Sequence, residues 1–165
     1  MAITSRDLPI IGWNEWAALP ELGINKIRCK VDTGARTSAL HAFYIEEFAE
    51  NGAKRVRFGL HPNQGDTDTE MHCVADVSDV RDVTDSGGHT DTRYVITTTV
   101  VIGDRSWPIE ITLTNRDTMR YRMLLGRTAI VDNFVVDAGT SCVAGKPSRH
   151  PVAQPFISLR HDEEE

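Results

Sequence analysis

Apolar and polar positions alternate over short runs along this chain and almost nowhere recur at helical spacing, so the pattern predicts strands. Ile24 to Val31 is the first well-formed run, and it leads directly into Asp32-Thr33-Gly34. Before it, Pro9-Ile10-Ile11-Gly12-Trp13 gives a short apolar segment and Leu19-Pro20-Glu21-Leu22-Gly23 reads as a turn. After it, Thr37 to Phe43 is apolar and irregular. Ile45 to Asn51, stopped by Gly52, predicts a short helix or helical turn. Lys54 to Leu60 alternates basic with apolar residues, as an edge strand would. Met71 to Val77 predicts a further strand, on which His72 and Cys73 would point to opposite faces. Tyr94 to Ile102 is strongly β-forming, Gly103-Asp104-Arg105 turns it back, and Ile109, Ile111 and Leu113 alternate with polar residues in Trp107 to Thr114, which makes this the clearest hairpin.

The expectation is an all-β domain over residues 9–145 with one or two short helices. A flexible start (1–8) would precede it, and a polar, proline-punctuated tail (146–165) would follow, ending in His161-Asp162-Glu163-Glu164-Glu165.

Composition narrows the function classes. The chain has 165 residues, 40% of them hydrophobic and 25% charged, as in an ordinary globular domain with a proper core. A formal net charge of -6 argues against a nucleic-acid partner. No apolar run reaches membrane-spanning length and no signal-peptide core opens the chain, so neither a membrane nor secretion is expected. Cys29, Cys73 and Cys142 are odd in number and widely spaced, which fits buried thiols in a reducing cytoplasm.

The candidate chemistry lies in Lys30-Val31-Asp32-Thr33-Gly34-Ala35. A strand ending on an acid, a hydroxyl and a glycine delivers a carboxylate to a tight turn that another group can approach closely. A second stretch, Asp137-Ala138-Gly139-Thr140-Ser141, could do the same within one chain; no second Leu-Leu-Gly segment follows it, and an ordinary turn is the expectation.

With Asp-Thr-Gly-Ala early, Leu124-Leu125-Gly126-Arg127 late and a glycine-tipped hairpin between, the chain resembles the retropepsin-like aspartic peptidases. More closely, it resembles a bacterial family labelled ATP-dependent zinc protease, whose relatives occur with glutamate ligases that modify a ribosomal protein. Ile11-Gly12-Trp13, Lys30 to Ala42, Arg93 to Ile96, and Leu113 to Arg127 carry the resemblance.

The resemblance implies a closed β-barrel of the retropepsin type, a homodimer and an aspartic endopeptidase. Asp32 would be the catalytic carboxylate, Thr33 the brace between two turns and Gly34 the glycine beneath the substrate. Leu124, Leu125 and Gly126 would support the turn. Ala35, Arg36 and Arg127 would meet the substrate, as would Gly87, Gly88 and His89 at the tip of a flap spanning Asp85 to Thr90. Where retroviral enzymes carry acids after Asp-Thr-Gly-Ala, this chain has Arg36, so the usual pairing with the late arginine is impossible. Two guanidinium groups near the cleft would suit an acidic, glutamate-rich peptide or tail; alternatively each pairs with a local acid such as Asp132 or Glu46.

The zinc and ATP of the label find no chemistry in the sequence. His-Glu-x-x-His is absent, no phosphate-binding glycine loop exists, and no cofactor or metal is expected. A metal site assembled through the fold from Cys29, His41 and His72 stays open as an alternative. A peptide-binding module without turnover and a zinc-dependent peptidase are the rival readings.

Overall fold

The structure is a computed structural model of the chain that describes residues 7–85, 87–116 and 119–153. The strand-forming runs fold into an eight-stranded sheet, a three-stranded sheet and a two-stranded ribbon. The main sheet takes β2 (Asn14–Leu19), β3 (Ile24–Val31), β4 (Ser38–His41), β8 (Asp79–Thr84), β9 (Thr90–Ile102), β10 (Arg105–Thr114), β11 (Met123–Leu125) and β13 (Val152–Ala153). Their order is β13-β10-β4-β11-β3-β2-β9-β8, and the pairing of β9 with β10 closes six of them into a ring. The ribbon is β1 (Ile10–Ile11) with β12 (Val135–Val136), and the smaller sheet is β5 (Tyr44–Glu50), β6 (Ala53–Leu60) and β7 (Met71–Asp76).

Period-two alternation puts one face of the ring strands into a common core. Ile27, Cys29 and Val31 of β3, Leu40 of β4, Ile111 and Leu113 of β10, and Met123 and Leu125 of β11 are all buried there. Phe58 and Leu60 of β6 reach the same core, so the smaller sheet packs on the ring instead of standing apart. Burial pushes the Cys29 thiol up to about 12 and the Cys73 thiol up to about 11, so both pack as small apolar groups. On β7, Cys73 is buried while His72 is not, the alternation expected there. No helix among the described residues is long and apolar enough to cross a membrane.

Three local expectations are corrected. Ile45 to Asn51 lies in β5, not in a helix, and Asn51 (φ 52°) and Gly52 (φ 80°) form the tight turn into β6. Two consecutive positive φ values match a two-residue hairpin loop, for which Asn-Gly is the favoured sequence. Lys54 to Leu60 is the centre of its sheet, not an edge, because β5 and β7 flank it. The irregular stretch after the Asp32 turn contains β4, which sits between β10 and β11. The helical segments lie elsewhere: a 3-10 turn over Pro20–Leu22, within the stretch that reads as a turn, and α1 (Arg127–Ile130) directly after Leu124-Leu125-Gly126. The expected acidic end, His161 to Glu165, lies outside the described residues.

Candidate active site at the Asp32 turn

Strand β3 runs parallel to β11, with Lys30 opposite Leu124 and Val31 opposite Leu125. The pairing continues one step further, where the Asp32 N–H donates to the Leu125 carbonyl at 2.9 Å. The turn then closes on its own carboxylate. Asp32 Oδ1 accepts the N–H of Gly34 at 3.0 Å and of Ala35 at 3.2 Å. Among the described residues, the other carboxylate oxygen accepts no hydrogen bond. Asp32 is half-buried, while Thr33, Gly34 and Arg36 are exposed around it. One oxygen is therefore fixed and the other faces outward, the arrangement needed to present a carboxylate to a second reactant.

The segment after β11 backs this turn. Gly126 donates its N–H to Ser38 Oγ at 2.9 Å, and a Cβ at this position would lie 2.5 Å from the Thr37 carbonyl carbon. Only glycine permits that approach. Arg127 N–H donates to the Ala35 carbonyl at 2.7 Å, and its Nη1 donates to the Thr33 carbonyl at 3.1 Å. Thr128 gives both its N–H and its hydroxyl to the Arg36 carbonyl at 3.0 Å. Leu124, Leu125, Gly126 and Arg127 are thus brought together with Asp32 to Arg36. Arg127 serves the turn directly, since one arm of its guanidinium holds the backbone beneath Thr33. Glu46, considered as a partner for an active-site arginine, pairs with Arg57 at 2.8 Å instead.

Gly87, Gly88 and His89 stand elsewhere, at the tip of the β8–β9 hairpin. Asp85 organises that tip. Its Oδ1 accepts the N–H groups of Gly87 and His89, each at 2.9 Å, and its Oδ2 is bound by Arg116 in a short charged contact. The His89 N–H and then the Arg116 guanidinium hold the Asp85 carboxyl down at about 2. Arg116 also donates its backbone N–H to His41 Nδ1 at 3.2 Å, tying the tip to the end of β4 and leaving that ring nitrogen unprotonated. No hydrogen bond or ion pair among the described residues joins the tip to the Asp32 turn.

The residues of the open metal reading have other occupations. Cys29 is in the core, His41 accepts from Arg116, and His72 contacts Tyr44 at 2.9 Å and Glu70 at 3.4 Å. Among the described residues, no group of three or more His, Cys, Asp or Glu side chains could hold a metal ion.

Sequence reasoning missed Glu15. It is fully buried on β2, and its carboxylate accepts the N–H of Gly12 at 2.7 Å, of Val143 at 2.9 Å and of Ala144 at 3.0 Å. This places Gly12-Trp13 beside the candidate site, where the Trp13 carbonyl accepts the Val31 N–H at 2.8 Å. An acid flanked by the apolar run Trp16 to Leu19, in a strand buried at nearly every position, is the signal that could have revealed it.

Comparison with known proteins decides the family. The model of the RimB-like family, described as retropepsin-like aspartic endopeptidase RimB, matches residues 10–147. The chain belongs to this RimB-like family. Curated relatives named probable alpha-L-glutamate ligase are 48% identical in Parasynechococcus marenigrum over 92% of this chain, and 41% identical in Desulfotalea psychrophila over 89% of it. The chain spans about a third of those relatives, 32% in each case. Among solved structures, the Legionella pneumophila protein Lpg0085, of unknown function, superposes with a TM-score of 0.68 at 29% identity, covering 82% of this chain and 98% of its own. The family description is that of an aspartic endopeptidase, and the zinc label of the sequence resemblance finds no support in it.

Proposed function

We propose that this RimB-like domain is an aspartic endopeptidase whose catalytic pair is Asp32 and the Asp32 of a second copy. The observation that carries this reading is the Asp32 turn itself: one carboxylate oxygen capped by two backbone N–H groups, the other outward, and the whole turn braced by Gly126 and Arg127. The chain holds one such turn with a supporting Leu-Leu-Gly segment, so a symmetric homodimer supplies the other carboxylate on its two-fold axis. Two carboxylates roughly 3 Å apart do not both ionise, and one proton is shared. The ionised member takes a proton from water, whose oxygen attacks the peptide carbonyl carbon. The protonated member gives its proton to the carbonyl oxygen. Collapse of the tetrahedral diol then breaks the C–N bond as the nitrogen is protonated. The β8–β9 tip would cover the bound chain.

The substrate in this reading is a glutamate-rich peptide or tail. Arg36 and Arg127 at the turn supply cationic groups, and the matched relatives carry the name of glutamate ligases. The three free cysteines, two of them buried, fit a reducing cytoplasm. The deciding experiment is cleavage of an acidic peptide by the wild-type chain and by Asp32→Asn, with the mass measured by sedimentation. Loss of cleavage in the variant, inhibition by a statine-type mimic and a dimer in solution support the reading; cleavage by Asp32→Asn refutes it. Retained peptide binding with no turnover in the wild type would favour the non-catalytic module.

A further inference from the structure

Two arginines among the described residues are buried, and they are treated differently. Arg93, 7% exposed, has Asp91 at 3.2 Å and reaches the Thr112 hydroxyl at 3.4 Å. Arg122, 9% exposed, makes no ion pair with any described residue, and its buried Nε has no hydrogen-bond partner. A guanidinium taken out of water without a counter-charge is strongly unfavourable. Its placement therefore favours an anionic partner that is not found among the described residues.

The position of Arg122 says where that anion would sit. Met123 and Leu125 point to the core, so Arg122 shares the opposite face with Leu124. The His41 N–H donates to the Arg122 carbonyl at 2.8 Å, extending the β4–β11 pairing to this residue. On the far side of His41, in register, stands Thr114, buried at 3% exposure with a hydroxyl that likewise lacks a partner. Lys30 lies opposite Leu124 on the same face, exposed and two residues before Asp32. A guanidinium whose buried Nε is unsatisfied, a partnerless hydroxyl and an exposed lysine line one side of β3, β11, β4 and β10, with Lys30 two residues before Asp32 and Arg122 three residues before the Leu125 that pairs with Val31.

We infer that Arg122 is the specificity residue of this site, binding the side-chain carboxylate of an acidic residue in the substrate, with Thr114 as second donor and Lys30 at the mouth. This deepens, and rests on, the proposal of an acidic peptide substrate. It moves the discrimination from the exposed arginines of the turn to a buried group. A desolvated guanidinium separates a carboxylate from its amide isostere far better than an exposed one, because the amide leaves the buried charge unmatched.

The test is binding, so it does not depend on turnover. Fluorescein-labelled peptides of eight glutamates or eight glutamines are titrated by anisotropy against the full chain carrying Asp32→Asn. The same titration is made with Arg122→Met, Arg122→Lys and, as an equal change of net charge on the smaller sheet, Arg57→Met added. Expected are a preference for the glutamate peptide, its reduction by about 10- to 100-fold in Arg122→Met, partial rescue in Arg122→Lys, and a change within about twofold in Arg57→Met. The melting temperature of Arg122→Met should equal or exceed that of its parent, since a buried uncompensated charge is removed. An undiminished preference in Arg122→Met, an equal loss in Arg57→Met, or a marked loss of thermal stability in both Arg122 variants would overturn the assignment. Failure of peptide cleavage in the wild type, with the binding preference intact, would count against the peptidase reading alone.

Discussion

The chain makes the same turn twice. Asp32-Thr33-Gly34 follows β3, whose parallel neighbour β11 gives the Leu125 carbonyl to the Asp32 N–H at 2.9 Å; Asp137-Ala138-Gly139 follows β12, whose parallel neighbour β1 gives the Ile11 carbonyl to the Asp137 N–H at 2.8 Å. In each, the glycine two residues on donates its N–H to the aspartate Oδ1 at 3.0 Å. The peptide of Trp13 lies between them, donating to the Thr140 carbonyl and accepting from Val31, both at 2.8 Å. The surroundings differ. Asp32 is half-buried, its Oδ1 takes a second N–H from Ala35, and Gly126, Arg127 and Thr128 hold the backbone around it from behind. Asp137 is exposed, and its turn is held by Thr140, whose N–H and hydroxyl donate to the Asp137 carbonyl and whose own carbonyl lies against Gly12 and Trp13. An Asp-x-Gly turn is therefore a local solution to ending a strand, and what makes one of them a candidate site is the tertiary brace.

The largest expected effect separates the two carboxylates. Asp32→Asn should lower the rate of peptide cleavage by about 10²–10⁴-fold or more, the range for loss of a general acid or base, while Asp137→Asn leaves it within about twofold. A comparable loss in Asp137→Asn would mean that the second turn belongs to the dyad. Next come the glycines behind each turn. A Cβ at Gly12 would lie 2.2 Å from the Thr140 oxygen, as one at Gly126 would crowd Thr37. Each alanine variant should lose about 1–3 kcal/mol in chemical denaturation. Gly126→Ala should also lose activity in the fraction that remains folded, and more of it than Gly12→Ala.

A smaller effect is expected from Arg127→Met, which removes the donor to the Thr33 carbonyl. It should cost about 0.5–1.5 kcal/mol and reduce kcat more than the affinity for a bound mimic. The smallest concerns the hairpin tip. Asp85 has a depressed pKa, so its contribution to holding the tip is complete above the ordinary carboxylate range and is lost only as pH falls toward 2. Amide exchange at Gly87 and His89, corrected for intrinsic rates, should thus be flat from pH 8 to 5. Asp85→Asn should speed it at neutral pH without altering exchange at Gly34.

The features legible in the sequence were those in which a local signal and the tertiary role agree. Strand β3 into Asp32, the β9–β10 hairpin and the late Leu124-Leu125-Gly126-Arg127 segment are continuous in sequence and do their work where they stand. The stretch from 45 to 60 misleads because Gly52 reads as the stop of a helix over Ile45 to Asn51, although Asn51-Gly52 is also the strongest short hairpin signal. Only the flanking pair then shows that β6 is central. β4 could not be read, since Ser38 to His41 is buried on both faces between two strands distant in sequence and shows no alternation. Glu15 and Arg122 escaped for a related reason. A charged residue in or beside a short strand reads as solvent-facing until the packing partners are known, and one of these is satisfied by backbone N–H groups of Gly12, Val143 and Ala144 while the Nε of the other has no partner among the described residues.

The buried carboxylate of Glu15 has a consequence for how this domain can be cut. Two of its three donors come from Val143 and Ala144, beyond the last strand of the ribbon. Trimming the polypeptide after Val136 would leave the buried carboxylate with the Gly12 N–H alone and remove the Thr140 carbonyl that holds the Trp13 peptide on which Val31 leans. What reads as a dispensable trailing loop is joined, through the Trp13 peptide, to the strand residue that precedes Asp32.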